Sequence, residues 1–238
     1  MARTNGLHHL AISTGCMKAQ IEFFSDVLGM ELVALYWMHG VEGTWHGFLR
    51  LNDTASIALV QNDKIVATKP TIGVSHAGSP ALPSAPGTMQ HVAFNVDSDE
   101  DLLNMRDRIR SRGLNVIGPL DHGLCKSIYF AGLENLSLEV ATSAAAIDAR
   151  AWIDPEVQAL AGINNEELAL FKRPAAYQGE GGKLKQPPMD PAKPHQAYPP
   201  EMYQALLAMT DEEVTKRLSV PEPPVRVAAA ELMQAYDK

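Results

Sequence analysis

The sequence predicts an α+β fold in which two βαβββ modules pair into one cupped sheet, followed by a mostly helical and extended C-terminal tail. Three observations carry that expectation. A strand, a helix and three further strand-like runs follow one another from residue 6 to 61, and the same order starts again from 88 to 142. Each unit opens on a short apolar alternation with a histidine on the face away from the core. After Ala144 the composition shifts, and between Pro174 and Pro200 proline, glycine and lysine displace apolar residues. A βαβββ unit covers its own sheet poorly, so pairing two of them is the economical arrangement.

The elements follow in order. Gly6-Leu7-His8-His9-Leu10-Ala11-Ile12 reads as a strand with Leu10 and Ile12 toward the core and His9 away from it. His8 has the opposite parity and is expected on the helix-covered side or at a sheet edge. Met17, Ile21, Phe24 and Leu28 then recur at helical spacing, with Gly29 as the stop. Runs 31–38, 44–52 and 56–61 are rich in β-branched, aromatic and aliphatic residues and complete the first module. Residues 62–87 are rich in proline, glycine and small side chains and are expected to form a long surface connection or lid.

The second module repeats the pattern. Met89-Gln90-His91-Val92-Ala93-Phe94 alternates as a strand over 88–96, with Gln90, Val92 and Phe94 inward and His91 outward. Ser98, with Asp101 three residues on, opens a helix that turns Leu102, Met105 and Ile109 inward and stops at Gly113. Strands are expected at 114–117, 127–131 and 136–141. In Leu136-Ser137-Leu138-Glu139-Val140 the leucines and valine go to the core and Glu139 goes to the other side. The expected domain therefore spans 1–144, with modules 6–61 and 88–142. The extension 145–238 holds short helices at Asp154-Pro155-Glu156, at 165–172, 200–209, 211–218 and 227–236, and an extended arm over 174–200 that lies along another surface of this subunit or a neighbour.

Bulk properties exclude several partners. The chain has 238 residues, 46% of them hydrophobic, and a formal charge of -8. No basic cluster suits a nucleic-acid backbone, and no apolar run has membrane length, so neither partner is expected. The opening residues lack the apolar region of a signal peptide, and the two cysteines, Cys16 and Cys125, are too few for a disulfide framework, so the expected compartment is the cytoplasm.

His9, His91 and Glu139 share one face by strand parity. A carboxylate inside an apolar strand is costly unless something pairs with it, and two imidazoles with one carboxylate form a set that suits non-haem iron(II) with open coordination positions. Zinc is a poorer fit because its structural sites prefer four protein ligands, and Mn(II) is the second choice.

The duplicated order, with His9, His91 and Glu139 in place, resembles the vicinal oxygen chelate superfamily of glyoxalases, fosfomycin resistance proteins, epimerases and extradiol dioxygenases. Glyoxalase-like members take a fourth ligand from the last strand of the first module. Here that position falls at or beside Ala58, which cannot ligate. Asp121-His122-Gly123 and Ser127-Ile128-Tyr129-Phe130 resemble the stretch before the glutamate ligand in single-domain catechol-type extradiol dioxygenases, although Gly132-Leu133-Glu134-Asn135 replaces that family's usual Asp-Pro-Asp-Gly-Asn turn. The resemblance implies an Fe(II)-dependent extradiol dioxygenase that opens the ring of a catechol-type or hydroquinone-type aromatic with O2, in a homo-oligomer. A metal-dependent isomerase, epimerase or lyase of the glyoxalase type is the alternative.

In that reading His122 exchanges protons with the substrate, a role suited to the histidine side chain as a residue type. Tyr129 shares parity with Ser127 and Ala131, and its hydroxyl reaches the cavity to bond a substrate oxygen. His46, and Phe48 at the position matching Tyr129, are expected to line the cup and contact the substrate.

Overall fold

The structure, a computed structural model, describes residues 3–145 and 148–225. The first module runs β1 (His9–Ser13), α1 (Met17–Leu28), β2 (Glu31–Trp37), β3 (Trp45–Arg50) and β4 (Ser56–Gln61). After a short α2 (Asp63–Ala67), the second module runs β5 (Val92–Asn95), α3 (Asp99–Ser111), β6 (Val116–Asp121), β7 (Lys126–Ala131) and β8 (Ser137–Thr142). The fold is therefore α+β with two βαβββ modules. The strands form two four-stranded mixed sheets, ordered β1-β4-β3-β2 and β5-β8-β7-β6, rather than one continuous ladder. β1 and β5 pair in parallel with β4 and β8, and both lie at a sheet edge.

Helix α1 forms because Met17, Gln20, Phe24 and Val27 recur on one face, which is buried. Gly29 ends it with φ 78°, a left-handed position that glycine adopts without strain. The preceding Cys16 makes no side-chain cap, and the open N–H groups of the first turn are satisfied from a distance. Gly15 N–H donates to Glu134 Oε1 at 2.6 Å, and Met17 N–H donates to Gln61 Oε1 at 2.6 Å. Helix α3 is capped as its sequence predicts, with Ser98 Oγ accepting from Asp101 N–H at 3.0 Å.

The two modules join through their helix-bearing faces. One buried cluster includes Ile12, Phe24, Leu49 and Ile57 of the first module and Phe94, Leu102, Ile109 and Leu138 of the second. Phe24 and Phe94 meet edge to face with centroids 6.4 Å apart. Arg108 of α3 reaches the C-terminal end of α1 and donates to the carbonyls of Val27 at 3.0 Å and Asp26 at 2.9 Å. Glu134 ties the other end, accepting from Gly15 N–H and, at 2.9 Å, from Gln20 Nε2.

Several elements differ from expectation. β5 starts at Val92 rather than Thr88, so strand parity does not extend to Gln90; its Nε2 instead donates to the carbonyls of Ser79, Pro80 and Leu82 in the connection. That connection contains α2, capped by Asn62, and buries Ala77. β6 runs Val116–Asp121 rather than 114–117, continuing past Gly118-Pro119 by a register shift between Ile117 and Leu120. His8 is an exposed residue ahead of β1, with Nδ1 3.0 Å from Nδ1 of His9.

In the extension, α4 (Pro155–Leu160), α5 (Asn165–Lys172), α6 (Pro200–Leu207) and α7 (Asp211–Leu218) appear where their caps indicated. Residues 174–199 have no helix or strand and are exposed throughout, so the arm is not buried on its own chain. The helix expected over 227–236 lies outside the described residues. Among the described residues, no helix is long and apolar enough to cross a membrane.

The clamp made by Glu134 yields a stability prediction. Its carboxylate serves two donors of the other module, and charge-assisted hydrogen bonds contribute roughly 1.5–3 kcal/mol each when buried, less when half-exposed as here. Glu134→Ala is expected to lower the urea midpoint by the equivalent of about 1–3 kcal/mol. An unchanged midpoint would mean that the modules are held by the apolar cluster alone.

Candidate metal and substrate site

The second module assembles half of the expected site. In the parallel β5-β8 ladder Ala93 sits beside Glu139, and in the antiparallel β7-β8 ladder Tyr129 sits opposite Glu139, so strand pairing delivers Tyr129 to the carboxylate. The Glu139 side chain is 6% exposed, and its Oε2 lies 3.0 Å from Nε2 of His91, which is 34% exposed. Two donors each about 2.1 Å from one ion and at right angles are about 3 Å apart, so this pair fits a shared divalent cation. His91 Nδ1 contacts Gln90 Oε1 in turn. The chain of contacts from connection carbonyls to Gln90 to His91 orients the ring, as outer-shell partners of metal-binding histidines do. Gln90 escaped the sequence reading because alternation assigned it to the core.

Beside that pair lies a second one. His122 Nε2 is hydrogen-bonded to the Tyr129 hydroxyl at 3.0 Å. Burial pushes the Tyr129 phenol up from its ordinary 10.0; hydrogen bonding with Ser127 opposes this, and the Glu139 carboxylate adds to it. The phenol is therefore protonated at neutral pH and available as a donor. The His122 loop is shaped by Gly123, whose φ is 78° and against whose Cα the Trp152 ring of the extension rests, leaving no room for a Cβ. Asp121 Oδ1 accepts from Gly123 N–H at 2.8 Å and holds the turn.

The first module carries the other half. Phe48 lies opposite Ala58 in the β3-β4 ladder, as Tyr129 lies opposite Glu139 in the second module. Ala58 is fully buried, so a fourth ligand is absent from that place. His9 packs edge-on against Phe48 with centroids 5.7 Å apart, Phe48 lies 5.6 Å from His46, and Tyr36 stacks on Phe48 at 6.1 Å and 13°. His46 is only 9% exposed, and neither ring nitrogen has a hydrogen-bond partner. Burial, and secondarily the nearby His9, lower its pKa below 6.5, so the imidazole is neutral at neutral pH and can donate one hydrogen bond and accept another. A buried polar group without partners is expensive, and a ligand that bonds to it relieves the cost. Tyr36, which closes this wall, was not singled out from sequence, although its alternation with Ala34 was visible.

The structure does not bring all three expected metal ligands together in one chain. His91 and Glu139 meet, but His9 is grouped with Phe48 and His46 on the other sheet, and among the described residues no cluster of three or more His, Cys, Asp or Glu is set to hold a metal ion. The cause is the way the modules join: the helix-bearing faces are shared, so the faces bearing His9 and His91 are the ones left over. Consistent with this, His9, Ala11 and Ser13 on β1 are exposed, as are His91, Ala93 and Asn95 along the second edge.

No curated protein matches the sequence. Among solved structures, a glyoxylase/bleomycin resistance protein/dioxygenase domain from Frankia sp. EAN1pec is 15% identical, with a TM-score of 0.46 over 59% of this chain and 99% of that one. A fosfomycin resistance protein, FosX, from Listeria monocytogenes, complexed with Mn(II) and 1S,2S-dihydroxypropylphosphonic acid, is 17% identical, with a TM-score of 0.43 over 63% of this chain and 99% of that one. An antibiotic binding protein, TnmS3, from Streptomyces sp. CB03234 is 13% identical, with a TM-score of 0.42 over 60% of this chain and 99% of that one. The model of one family matches residues 6–140, which takes in both modules and all three expected ligands, and the chain belongs to that family, the Glyoxalase/Bleomycin resistance protein/Dioxygenase superfamily.

Proposed function

We propose that this protein is an Fe(II)-dependent extradiol dioxygenase, with Mn(II) as the second fit, that opens a catechol-type or hydroquinone-type ring with O2, and that its site is completed between two copies of the chain. His9 comes from one copy, and His91 and Glu139 come from the other. The observation that carries the reading is the juxtaposition of two pairs beside Glu139: His91–Glu139 at 3.0 Å and His122–Tyr129 at 3.0 Å. The first pair suits a metal, and the second suits a phenolic substrate that must lose and regain protons.

His9, His91 and Glu139 would hold the metal, which would supply Lewis-acid and redox chemistry for the reaction of a diol with O2. The chain's own residues do the rest. Tyr129, kept protonated by burial, donates its O–H to a substrate oxygen. His122 Nε2, within hydrogen-bond reach of that hydroxyl, accepts or returns a proton. Phe48 and Tyr36 present ring faces to an aromatic substrate, and neutral His46 offers a donor and an acceptor to its polar groups. The buried Ala58 speaks against a closed four-ligand site of the isomerase or lyase kind.

Two open edge strands, β1 carrying His9 and β5 directly preceded by His91, support completion by a second copy. An unpaired edge is a ready surface for association, and a two-fold axis would bring β1 of each chain to β5 of the other, making two equivalent sites.

Anaerobic loading with Fe(II), followed by a panel of catechols and hydroquinones, is expected to give O2 uptake and yellow ring-fission products. Metal binding without O2 uptake for any diol would overturn the dioxygenase reading in favour of isomerase or lyase chemistry.

Mixing variants tests where the site is assembled. His9→Ala and Glu139→Ala should each bind little metal alone, yet after unfolding and refolding together they should regain up to about a quarter of the wild-type sites, because half of the random pairs would hold one intact site of two. No recovery would place all ligands in one chain.

His122→Gln and Tyr129→Phe should keep the metal and lose turnover, the histidine variant by on the order of a hundredfold or more. Since the Tyr129 phenol lies above 10.0, the wild-type pH profile should show no tyrosine ionisation near neutrality. Wild-type turnover in the His122 variant would transfer its role to another group, His46 first.

A further inference from the structure

His122 lies in the connection His122–Cys125 that joins β6 to β7. β6 is the outer strand of its sheet, and its ladder to β7 shifts register between Ile117 and Leu120, so this end of the hairpin is paired on one side only and follows an irregularity. Hydrogen bonds close the connection from within. His122 N–H donates to the Cys125 carbonyl at 2.8 Å, and Gly123 N–H donates to Asp121 Oδ1 at 2.8 Å. These bonds fix the shape of the turn, but they run between its own residues and cannot fix its place against the rest of the module.

Two contacts from beyond β8 supply that. Ser143 Oγ donates to the Leu124 carbonyl at 3.2 Å. Farther along, the short turn Ala149–Trp152 is capped by Asp148, whose Oδ1 accepts from Arg150 N–H at 3.0 Å, and it ends with the Trp152 ring against Gly123. The fit needs glycine twice over, because φ is 78° and because a Cβ would run into Cζ2 and Cη2 of the ring. Trp152 is 51% exposed, so part of a large apolar ring is taken out of water here. None of helices α4–α7 contains a buried residue, so this hold on the turn is not a by-product of wholesale packing of the extension.

We propose that Trp152 is a positioning residue of the candidate site: by resting on Gly123 it fixes the turn, and through the turn it holds the His122 imidazole against the Tyr129 hydroxyl. The inference rests on the reading that His122 and Tyr129 handle substrate protons. The bond between them crosses from this connection to β7 at 3.0 Å. A shift of about 1 Å would take it outside hydrogen-bond range, and misplacement of that size costs catalysis up to about a hundredfold. Trp152 acts on the reaction only through His122, and the extension thereby contributes a working part to the site.

The contact can be followed without turnover. In full-length protein carrying isotope-labelled histidine, the Nε2 resonance of His122, assigned by its loss in His122→Gln, reports the hydrogen bond to Tyr129. Tyr129→Phe should move that resonance in the wild-type background. In a Trp152→Ala background the same substitution should move it little, and Trp152→Phe should restore most of the response, because a smaller flat ring still covers Gly123. With a diol that the wild type oxidises, Trp152→Ala should lower kcat on the order of tenfold or more while KM and bound metal stay unchanged, the pattern of a misplaced catalytic group. A full response to Tyr129→Phe in the Trp152→Ala protein, no response in the wild type, or wild-type kcat in Trp152→Ala would overturn the proposal. Failure of every diol to consume O2 would sink the dioxygenase reading alone, and the resonance comparison would still decide the role of Trp152.

Discussion

The joining of the two modules through their helix-bearing faces is the constraint on which the rest depends. Burying Phe24 against Phe94 removes apolar surface of both helix layers from water at once. Arg108 and Glu134 then fix the two ends of α1, the guanidinium at its carbonyl end and the carboxylate at its amide end. Both charges complement the helix dipole as well as the unsatisfied backbone groups. With that face committed, His9 and His91 stay exposed at the edges of separate sheets, while Glu139 and His46 are buried within theirs. The separation of His9 from His91 and Glu139 is thus a consequence of packing, and a site using all three needs a further association.

Period-two alternation made most of this legible in the sequence. It set Tyr129 and Glu139 on a common side of their strands, and the ladders add that Phe48–Ala58 and Tyr129–Glu139 are equivalent pairs. Helix ends were also readable, because Gly29 and Ser98 have local roles that need no tertiary information. What could not be read depends on distant partners. Glu134 was seen only as an atypical turn residue, yet with φ 56° it is held in a left-handed conformation unusual for glutamate while its carboxylate caps the other module. Gln90 fell on the core side by alternation, but the strand begins two residues later. Nothing in a repeat pattern says whether two units will share a ladder or a helix layer.

The electrostatics divide along the same lines. Glu139 is a buried carboxylate on an apolar strand, and such a group is tolerated only with a partner. In the chain it has His91, and a divalent cation between them would be a stronger one. His46 is the mirror case, a buried base with no partner whose burial keeps it neutral. Of the two, only His46 is left without a partner, and a polar group brought against the aromatic wall would supply one.

The divergence of the two repeats gives this a further logic. At equivalent places the first module has His46, Phe48 and Ala58 where the second has Ser127, Tyr129 and Glu139. Two copies of the second module facing each other would set two carboxylates and two phenols around one ion, with excess negative charge and no surface for a ring. Two copies of the first would give two aromatic walls without an anionic ligand. In the proposed site, only a pairing of unlike modules would combine one carboxylate, two imidazoles, the His122–Tyr129 pair and one flat apolar wall. Under the proposed reading, a chain carrying one of each could meet that requirement by facing a second copy of itself, and the two-fold symmetry of such a pair would make both sites complete at once.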